Sequence, residues 1–336
     1  MTVREMTIAE TAKLLREKDD ILIVCHAHPD GDAVGCGVAL ERMLTSIGKT
    51  AYLICADVLP HHLRFLLGYR PSDRVDTDAG ALRPERLPAS FSSSFTVTVD
   101  VASIELTGMA EQLNGKVDLK IDHHAIGGDF APQSLIYRGA SACGEIIYDL
   151  AVQLGALDIE TASALYAAVS SDSGSFRFDS VTPDTIMRVY GMMRLGIDHS
   201  EIAEHLYNSR TQAEMAAQRV ALNNLEYFAD GRIAITHVSA ADFERGEFTY
   251  ADTDSLNSIP IMIDGVKLGI VVKEERAGHY RMSTRSGRGI AANKLCAQFG
   301  GGGHERAAGA AIDAESYAAL RDKVISAALE LFDFGK

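Results

Sequence analysis

The sequence predicts an α/β protein: a doubly wound, mainly parallel sheet domain, joined by a helical connector to a smaller C-terminal α/β domain. Two observations lead there. Over the first half, short strand-like runs, the first of them wholly apolar, alternate with segments of helical periodicity, as expected of a sheet covered by crossover helices. After about residue 227 the pattern changes to a strand hairpin, a glycine run and a closing helix. The resulting bounds are 1–190 for the first domain, 191–227 for the connector and 228–336 for the second domain.

The elements follow in order. Thr7 and Glu10 form a capping box ahead of a helix to Lys18, with Ile8, Ala12 and Leu15 on one face. Ile21–Cys25 is a fully apolar strand. Ala33–Ile47 is a helix stopped by Gly48, and Ala51–Cys55, Phe95–Val99 and Val117–Ile121 are further strands. Ala142–Leu154 and Thr161–Ser170 read as helices, and Thr182–Tyr227 as helical throughout. Strands are expected at Arg232–Val238, Val266–Lys273 and Tyr280–Arg285, the last two turning at Ala277-Gly278. A helix at Ala291–Phe299 runs into Gly300–Gly303, and Glu315–Phe332 closes the chain as a helix.

Composition bounds the function. The 336 residues are 47% hydrophobic and 23% charged, enough to bury a core without staples. A formal charge of −14 is a poor match for a long duplex, which is gripped by cationic surfaces. A short anionic substrate is still compatible if metals and a few arginines supply local positive charge. Five cysteines, an odd number without a C-x-x-C pair, fit reduced thiols in a cytoplasm. The opening MTVREMTIAE has no apolar signal core, and no run approaches a membrane span. A cytoplasmic protein without membrane attachment is expected, and a homodimer is compatible with the sequence.

Acids and imidazoles sit where strands end. His26 follows Ile21–Cys25, with Asp30 and Asp32 in the next turn, HAHPDGD. Asp100 ends FTVTV, and Asp122, His123 and His124 end VDLKI. Asp172 follows ALYAAVSS and precedes SGSFRF. Carboxyl ends of strands are where open α/β sheets bind ligands. Carboxylates gathered there repel unless cations neutralise them. Mixed imidazole and carboxylate donors suit Mn²⁺, Fe²⁺, Co²⁺ or Zn²⁺, and the lack of cysteine spacing argues against structural zinc. The candidate ligands His26, Asp30, Asp32, Asp100, His123 and Asp172 are too many for one ion with open positions. Two ions about 3.5–4 Å apart, sharing a carboxylate and a water, would use them all. A single Asp at a strand end is more often a cap or turn former, so the inference rests on the combination.

At these residues the sequence resembles the DHH phosphoesterase superfamily. HAHPDGDAVG (His26–Gly35), TVDVAS (Thr98–Ser103), IDHH (Ile121–His124) and SSDSGSFRF (Ser170–Phe178) carry the resemblance, in family order. FGGGGHERAAGA (Phe299–Ala310) resembles the GGGH motif of the DHH-associated substrate domain. The subgroup it resembles is the short two-domain type that acts on oligoribonucleotides and 3′-phosphoadenosine 5′-phosphate. The resemblance implies His26, Asp30 and Asp100 around one ion and Asp32, Asp100, His123 and Asp172 around the other, with Asp100 bridging. It implies Mn²⁺, with Mg²⁺ or Co²⁺ as alternatives. It also implies that His124 contacts the scissile phosphate and that Asp122 orients a neighbouring histidine.

The C-terminal glycines are a separate signal. Four in a row are costly in helix or strand, and are tolerated where backbone must approach a ligand or adopt φ > 0. Their N–H groups can form an anion nest, and Arg285, His304 and Arg306 add donors. The resemblance points to Arg285, Ser286, Gly302, Gly303 and His304 for substrate. Short RNA or a small nucleotide, including cyclic dinucleotides, is the expected substrate. Pyrophosphatase or polyphosphatase chemistry shares the metal motifs, but the glycine-rich pattern favours the nucleotide branch. A metal-dependent nucleotide binder without turnover is the alternative of a different class, against which the complete ligand set argues.

Overall fold

A computed structural model describes residues 3–124 and 127–334. The chain divides between Ser209 and Arg210 into two units. The first contains β1 (Arg4–Glu5), α1 (Ile8–Glu17), β2 (Ile21–Val24), α2 (Gly31–Ser46), β3 (Ala51–Ile54), β4 (Phe95–Val99), α3 (Ala110–Leu113) and β5 (Leu119–Asp122). It continues with β6 (Gln133–Ile136), α4 (Cys143–Leu154), α5 (Ile159–Asp172), α6 (Pro183–Met193) and α7 (His199–Ala203).

The strands form one sheet in the order β1-β6-β5-β4-β2-β3, every described pair parallel. From β2 the chain moves outward to β3, then crosses to β4 on the other side and proceeds to β5 and β6. The strand order therefore reverses between β2 and β4, and their carboxyl ends flank the crevice where such sheets take ligands. Strand alternation feeds two cores. Ile21, Ile23 and Cys25 point into the main cluster with Leu40, Leu44, Ile147 and Leu165, while Val24 and Ile54 join Met109, Leu113 and Val117 on the opposite face.

Glycines set how closely the helices meet. A Cβ at Gly31 would stand 2.6 Å from Ser171 Cβ, and one at Gly35 2.5 Å from the Ala164 carbonyl oxygen. These two positions, one turn apart on α2, let α5 come into backbone contact. A Cβ at Gly144 of α4 would stand 2.9 Å from Ala168 Cβ of α5. Three helices thus converge on one point beneath the sheet's carboxyl edge. The same packing explains why α2 starts at Gly31, two residues before the expected Ala33, with Asp30 as its N-cap accepting from Ala33 N–H at 3.0 Å. Asp32 consequently lies inside the first helical turn, and Asp172 ends α5 instead of following it.

Between β3 and β4 the chain makes 3₁₀ turns at His61–Tyr69, Ser72–Arg74 and Pro84–Arg86. Arg70 anchors this segment by a two-pronged pair, at 2.7 and 2.9 Å, with the fully buried Glu41 of α2.

The second unit contains α8 (Gln212–Asn223), β7 (Glu226–Phe228), β8 (Ile233–Val238), α9 (Ala240–Glu244), β9 (Leu268–Arg276), β10 (His279–Ser286), α10 (Ala292–Ala297), β11 (Gly302–His304), β12 (Ala307–Asp313) and α11 (Tyr317–Leu331). The sheet order is β11-β12-β10-β9-β8-β7, with β8 and β9 parallel and the other pairs antiparallel. Met282, Leu295, Leu320 and Val324 build the core on one face; α8, through Ala217 and Ala221, covers Val238 and Val271 on the other.

The segment 182–227 is not helical throughout. Gly196 (φ +86°) breaks it after α6, a π-helical turn occupies Glu204–Asn208, and its last residues belong to β7. The unit boundary falls inside it, so α6 and α7 belong to the first unit and α8 to the second. No helix among the described residues is long and apolar enough to cross a membrane.

Candidate metal centre

The carboxyl ends of β2, β4 and β5 bring the predicted acids and imidazoles into one cluster. His26 Nε2 lies 3.6 Å from Asp30 Oδ1 and 3.5 Å from Asp100 Oδ2. His123 Nε2 lies 3.5 Å from Asp100 Oδ1, 3.3 Å from Asp172 Oδ2 and 3.9 Å from Asp32 Oδ2. Three triads, His26–Asp30–Asp100, Asp32–His123–Asp172 and Asp100–His123–His124, each present donor atoms within 4.8 Å of one another. The two oxygens of Asp100 face different imidazoles.

The imidazole tautomers are informative. His26 Nδ1 lies 2.8 Å from the Ala27 carbonyl and His123 Nδ1 3.1 Å from the Ala140 carbonyl. A proton on each Nδ1 satisfies these contacts and leaves each Nε2 lone pair among carboxylate oxygens. Lone pairs and carboxylates do not attract each other; a cation between them removes the conflict. Atoms about 2.1 Å from one ion stand about 3–3.5 Å apart at ordinary ligand angles, close to the separations seen. Asp100 Oδ1 is buried with no hydrogen-bond partner, which suits an oxygen that coordinates a cation. The residues therefore fit divalent ions.

Asp32 is held by α4. The first two amides of that helix, Cys143 and Gly144, donate to its oxygens at 2.6 and 2.9 Å, so an acid on α2 caps a helix 111 residues later. Even so, burial raises its pKa, and the charges of Asp100, Asp172 and Asp30 raise it further. Burial likewise brings Asp172 up to about 6. His26 shows the converse: burial opposes its charged form, but Asp100 and Asp30 outweigh that and hold its pKa at about 11. Without cations the cluster compensates with protons.

His124 sits beside this cluster. Its Nδ1 is 2.7 Å from Asp122 Oδ1, which also accepts the His123 amide at 2.9 Å. Lys120, itself buried, places Nζ 3.0 Å from Asp122 Oδ2 and donates to the Ala102 carbonyl at 3.0 Å. Burial works against charge on Asp122, but His124 and Lys120 prevail and bring its pKa down to about 2. Asp100 takes φ +57°, a left-handed conformation rare outside glycine, with its amide donating to the Ile121 carbonyl at 3.0 Å.

Sequence reasoning missed Lys120, the Cys143 and Gly144 amides and the Ala140 carbonyl. Only Lys120 leaves a sequence signal: a lysine in the strand, two residues before Asp122 and hence on its face.

In the second unit, Arg285 and Ser286 alternate to opposite faces of β10. Arg285 shares its face with Ser283, while the buried Ser286 donates its hydroxyl to the Ile290 carbonyl at 2.6 Å. Gly302 and Gly303 lie in β11 with Gly303 at φ +136°, and a Cβ at Gly302 would meet open space. The backbone of His304 pairs with Ala307; its side chain lies outside the described residues.

Comparison with known proteins agrees with this architecture. Residues 20–169 match the DHH family, N-terminal domain, and residues 240–330 match the DHHA1 domain. The fold and site define a hydrolase of phosphoester bonds. The chain belongs to the DHH phosphoesterase family, with a C-terminal DHH-associated domain. It is 28% identical over 297 residues to the probable bifunctional oligoribonuclease and PAP phosphatase NrnA of Streptococcus mutans, covering 88% of this chain and 90% of that one. It is 26% identical over 326 residues to the bifunctional oligoribonuclease and PAP phosphatase NrnA of Thermus thermophilus, covering 96% and 93%. A crystal structure of an exopolyphosphatase-related protein from Bacteroides fragilis superposes with a TM-score of 0.84 at 23% identity, covering 96% of each chain. That likeness concerns the fold.

Proposed function

We propose that this protein hydrolyses short oligoribonucleotides, 3′-phosphoadenosine 5′-phosphate and related linear or cyclic dinucleotides, using two divalent cations, Mn²⁺ foremost. The observation that carries the reading is the pair of imidazoles whose Nε2 atoms face the same buried carboxylate, Asp100, from opposite oxygens. The relatives named for oligoribonuclease and PAP phosphatase activity support the substrate class.

His26, Asp30 and Asp100 would hold one ion; Asp32, Asp100, His123 and Asp172 would hold the other. When bound, such a pair supplies Lewis acidity and offsets charge on phosphate oxygens. The chain's own residues do the rest. The Ala27 and Ala140 carbonyls fix the His26 and His123 rings in the tautomer that offers Nε2. The α4 amides keep Asp32 in place. Asp122 accepts from His124 Nδ1, so the His124 ring is oriented, and positively biased, to meet the scissile phosphate; Lys120 steadies Asp122. In the second unit, Arg285 and the Gly302–Gly303 backbone would bind the nucleotide's phosphate, with His304 alongside. Among the described residues no carboxylate pairs with Arg285; its Nη1 donates to the Thr284 carbonyl at 3.0 Å.

The test uses chelated full-length protein offered RNAs of two to five nucleotides, pApA, 3′-phosphoadenosine 5′-phosphate and pyrophosphate. Mononucleotide release is expected only after Mn²⁺ is restored. Turnover persisting in excess chelator would refute the metal chemistry. Tight binding of pApA with Mn²⁺ but no product would show a sensor instead.

A further inference from the structure

The second unit carries a cavity away from its glycine-rich strand. It opens between α9, the 3₁₀ turn that starts at Tyr250 and the end of β9, and its volume is about 760 Å³, within the ~300–1,000 Å³ of small-molecule sites. Gly269, opposite Arg285, and Arg276, at the cavity, are seven residues apart on β9, about 23 Å at ~3.3 Å per residue. The cavity is therefore separate from the end of the sheet that holds Arg285.

Its wall is aromatic. Phe243 of α9 meets Phe248 edge-on, with ring centroids 5.6 Å apart, and Tyr250 at 5.9 Å. All three rings line the cavity. Tyr250 is held in place: the buried Lys273 ammonium lies 5.1 Å from its ring centroid, and its phenol bonds to Glu275. The ring is nonetheless partly bare, with the residue 37% exposed. Fixed aromatic surface of this kind is what planar heterocycles stack on.

The charges narrow the ligand. Glu244 and Arg276 both line the cavity, yet among the described residues neither has a side-chain hydrogen bond or ion pair, and they do not pair with each other. Glu275, the other acid there, is already taken by Arg281 at 3.3 Å and His279 at 3.4 Å. An aromatic wall with one free carboxylate and one free guanidinium calls for a flat ring that has N–H donors along one edge and carries an anion elsewhere. Guanine meets a carboxylate with N1–H and N2–H side by side, giving two parallel charge-assisted bonds. Adenine offers its N6 amino group next to the N1 lone pair, which a carboxylate repels. The nucleotide's phosphate falls to Arg276, whose planar fork suits it.

We propose that this cavity is a guanine-nucleotide site, in which Tyr250 and Phe243 stack the base, Glu244 reads its N1–H and N2–H edge and Arg276 binds the phosphate. The inference is independent of the hydrolytic reading, because none of these residues belongs to the metal centre or to the set around Arg285.

Calorimetric titration of the full-length, chelated protein with guanosine 5′-monophosphate should show a site that adenosine 5′-monophosphate fills at least ~10-fold more weakly. Glu244→Gln should weaken the guanine nucleotide at least ~10-fold and remove the preference. Arg276→Ala should weaken it about tenfold while leaving guanosine binding unchanged. Both variants should keep wild-type far-UV circular dichroism and Mn²⁺-dependent turnover of pApA, and Arg285→Ala should keep wild-type affinity for the guanine nucleotide. No binding of that nucleotide, equal affinity for the adenine one, or wild-type affinity in both cavity variants overturns the proposal. So does loss of binding in Arg285→Ala, which would place the nucleotide at the other end of the sheet.

Discussion

Adding one methyl group between α2 and α5 should loosen the metal centre from a distance. In Gly35→Ala the new Cβ would sit 2.5 Å from the Ala164 carbonyl oxygen and 2.9 Å from Ala168 Cβ, where ordinary contact begins at 3.4 Å. The helices must open by about 0.9 Å (3.4 minus 2.5) unless backbone distorts. Asp32 is three residues from Gly35, and Asp172 is four from Ala168, so most of that opening reaches the two acids that face His123. Metal–ligand distances are held within about ±0.2 Å, so a shift of this size removes one acid from effective range. Apparent Mn²⁺ affinity should fall at least ~10-fold, as when groups that position ligands are lost. Stability should change less: overpacking costs about 1–3 kcal/mol, and replacing a helical glycine returns about 0.5–1 kcal/mol. A net loss of about 1–2 kcal/mol lowers Tm by roughly 2–8 °C for a unit of this size. Calorimetric Mn²⁺ titration, activity against Mn²⁺ and thermal scans of the chelated protein measure these effects. Gly68→Ala is the control, since a Cβ there meets nothing within 4 Å. Wild-type Mn²⁺ affinity in Gly35→Ala, or an equal loss in Gly68→Ala, would refute the reasoning.

Asp100→Gly relieves the φ +57° backbone and removes a buried oxygen without a partner; it should abolish turnover while raising the Tm of the chelated protein by about 2–4 °C, roughly 1 kcal/mol, in a thermal scan. Arg285→Ala should raise KM for pApA at least ~10-fold with kcat within about threefold if, as proposed, its guanidinium binds a phosphate other than the one being cleaved and so contributes uniform binding; a kcat collapse at unchanged KM would contradict that role. His237 stacks on Tyr317 with ring centroids 3.8 Å apart, and burial lowers its pKa. A depressed folded-state value means its contribution is complete above the ordinary value of about 6.5 and is lost as pH falls below it. Between pH 7.5 and 5.5 the protein should therefore lose more stability than His237→Phe does, and equal slopes in denaturant titrations would exclude this linkage.

Much of the first sheet is legible because β2 is a wholly apolar run and β4 is rich in β-branched and aromatic residues, and the Thr7–Glu10 capping box appears as read, with the Glu10 amide 3.3 Å from Thr7 Oγ1. β1 is two residues long and exists only by pairing with β6. β12, AAGAAID, has a single β-branched residue, so its strand character comes from pairing with β10. The 3₁₀ turns after β3 depend on Glu41 meeting Arg70, partners 29 residues apart that no local pattern connects. At the site, residue types at strand ends were enough to nominate the six candidate ligands, and the fold gathers all six. What could not be read was the support: backbone groups of Ala27, Ala140, Cys143 and Gly144 carry no side-chain signature. Ser286 illustrates the same limit, since the sequence motif joins it to Arg285 while strand alternation points it away.

The centre gathers the carboxylates of Asp30, Asp32, Asp100, Asp122 and Asp172, and it is not arranged for its own stability. Asp100 adopts an unfavourable backbone conformation, its Oδ1 lacks a partner, and Asp32 and Asp172 are driven toward their protonated forms by burial and by one another. Left to relax, such a cluster would turn its acids outward. The glycine contacts among α2, α4 and α5, and the two-ended grip of α4 on Asp32, prevent that. The strain is thus carried by packing some way from the carboxylates, which leaves the donors fixed before any cation arrives. A flexible cluster would have to order its side chains as each ion binds, and would lose affinity for it. The number of carboxylates then favours a highly charged ion, since one divalent cation offsets several of them at once.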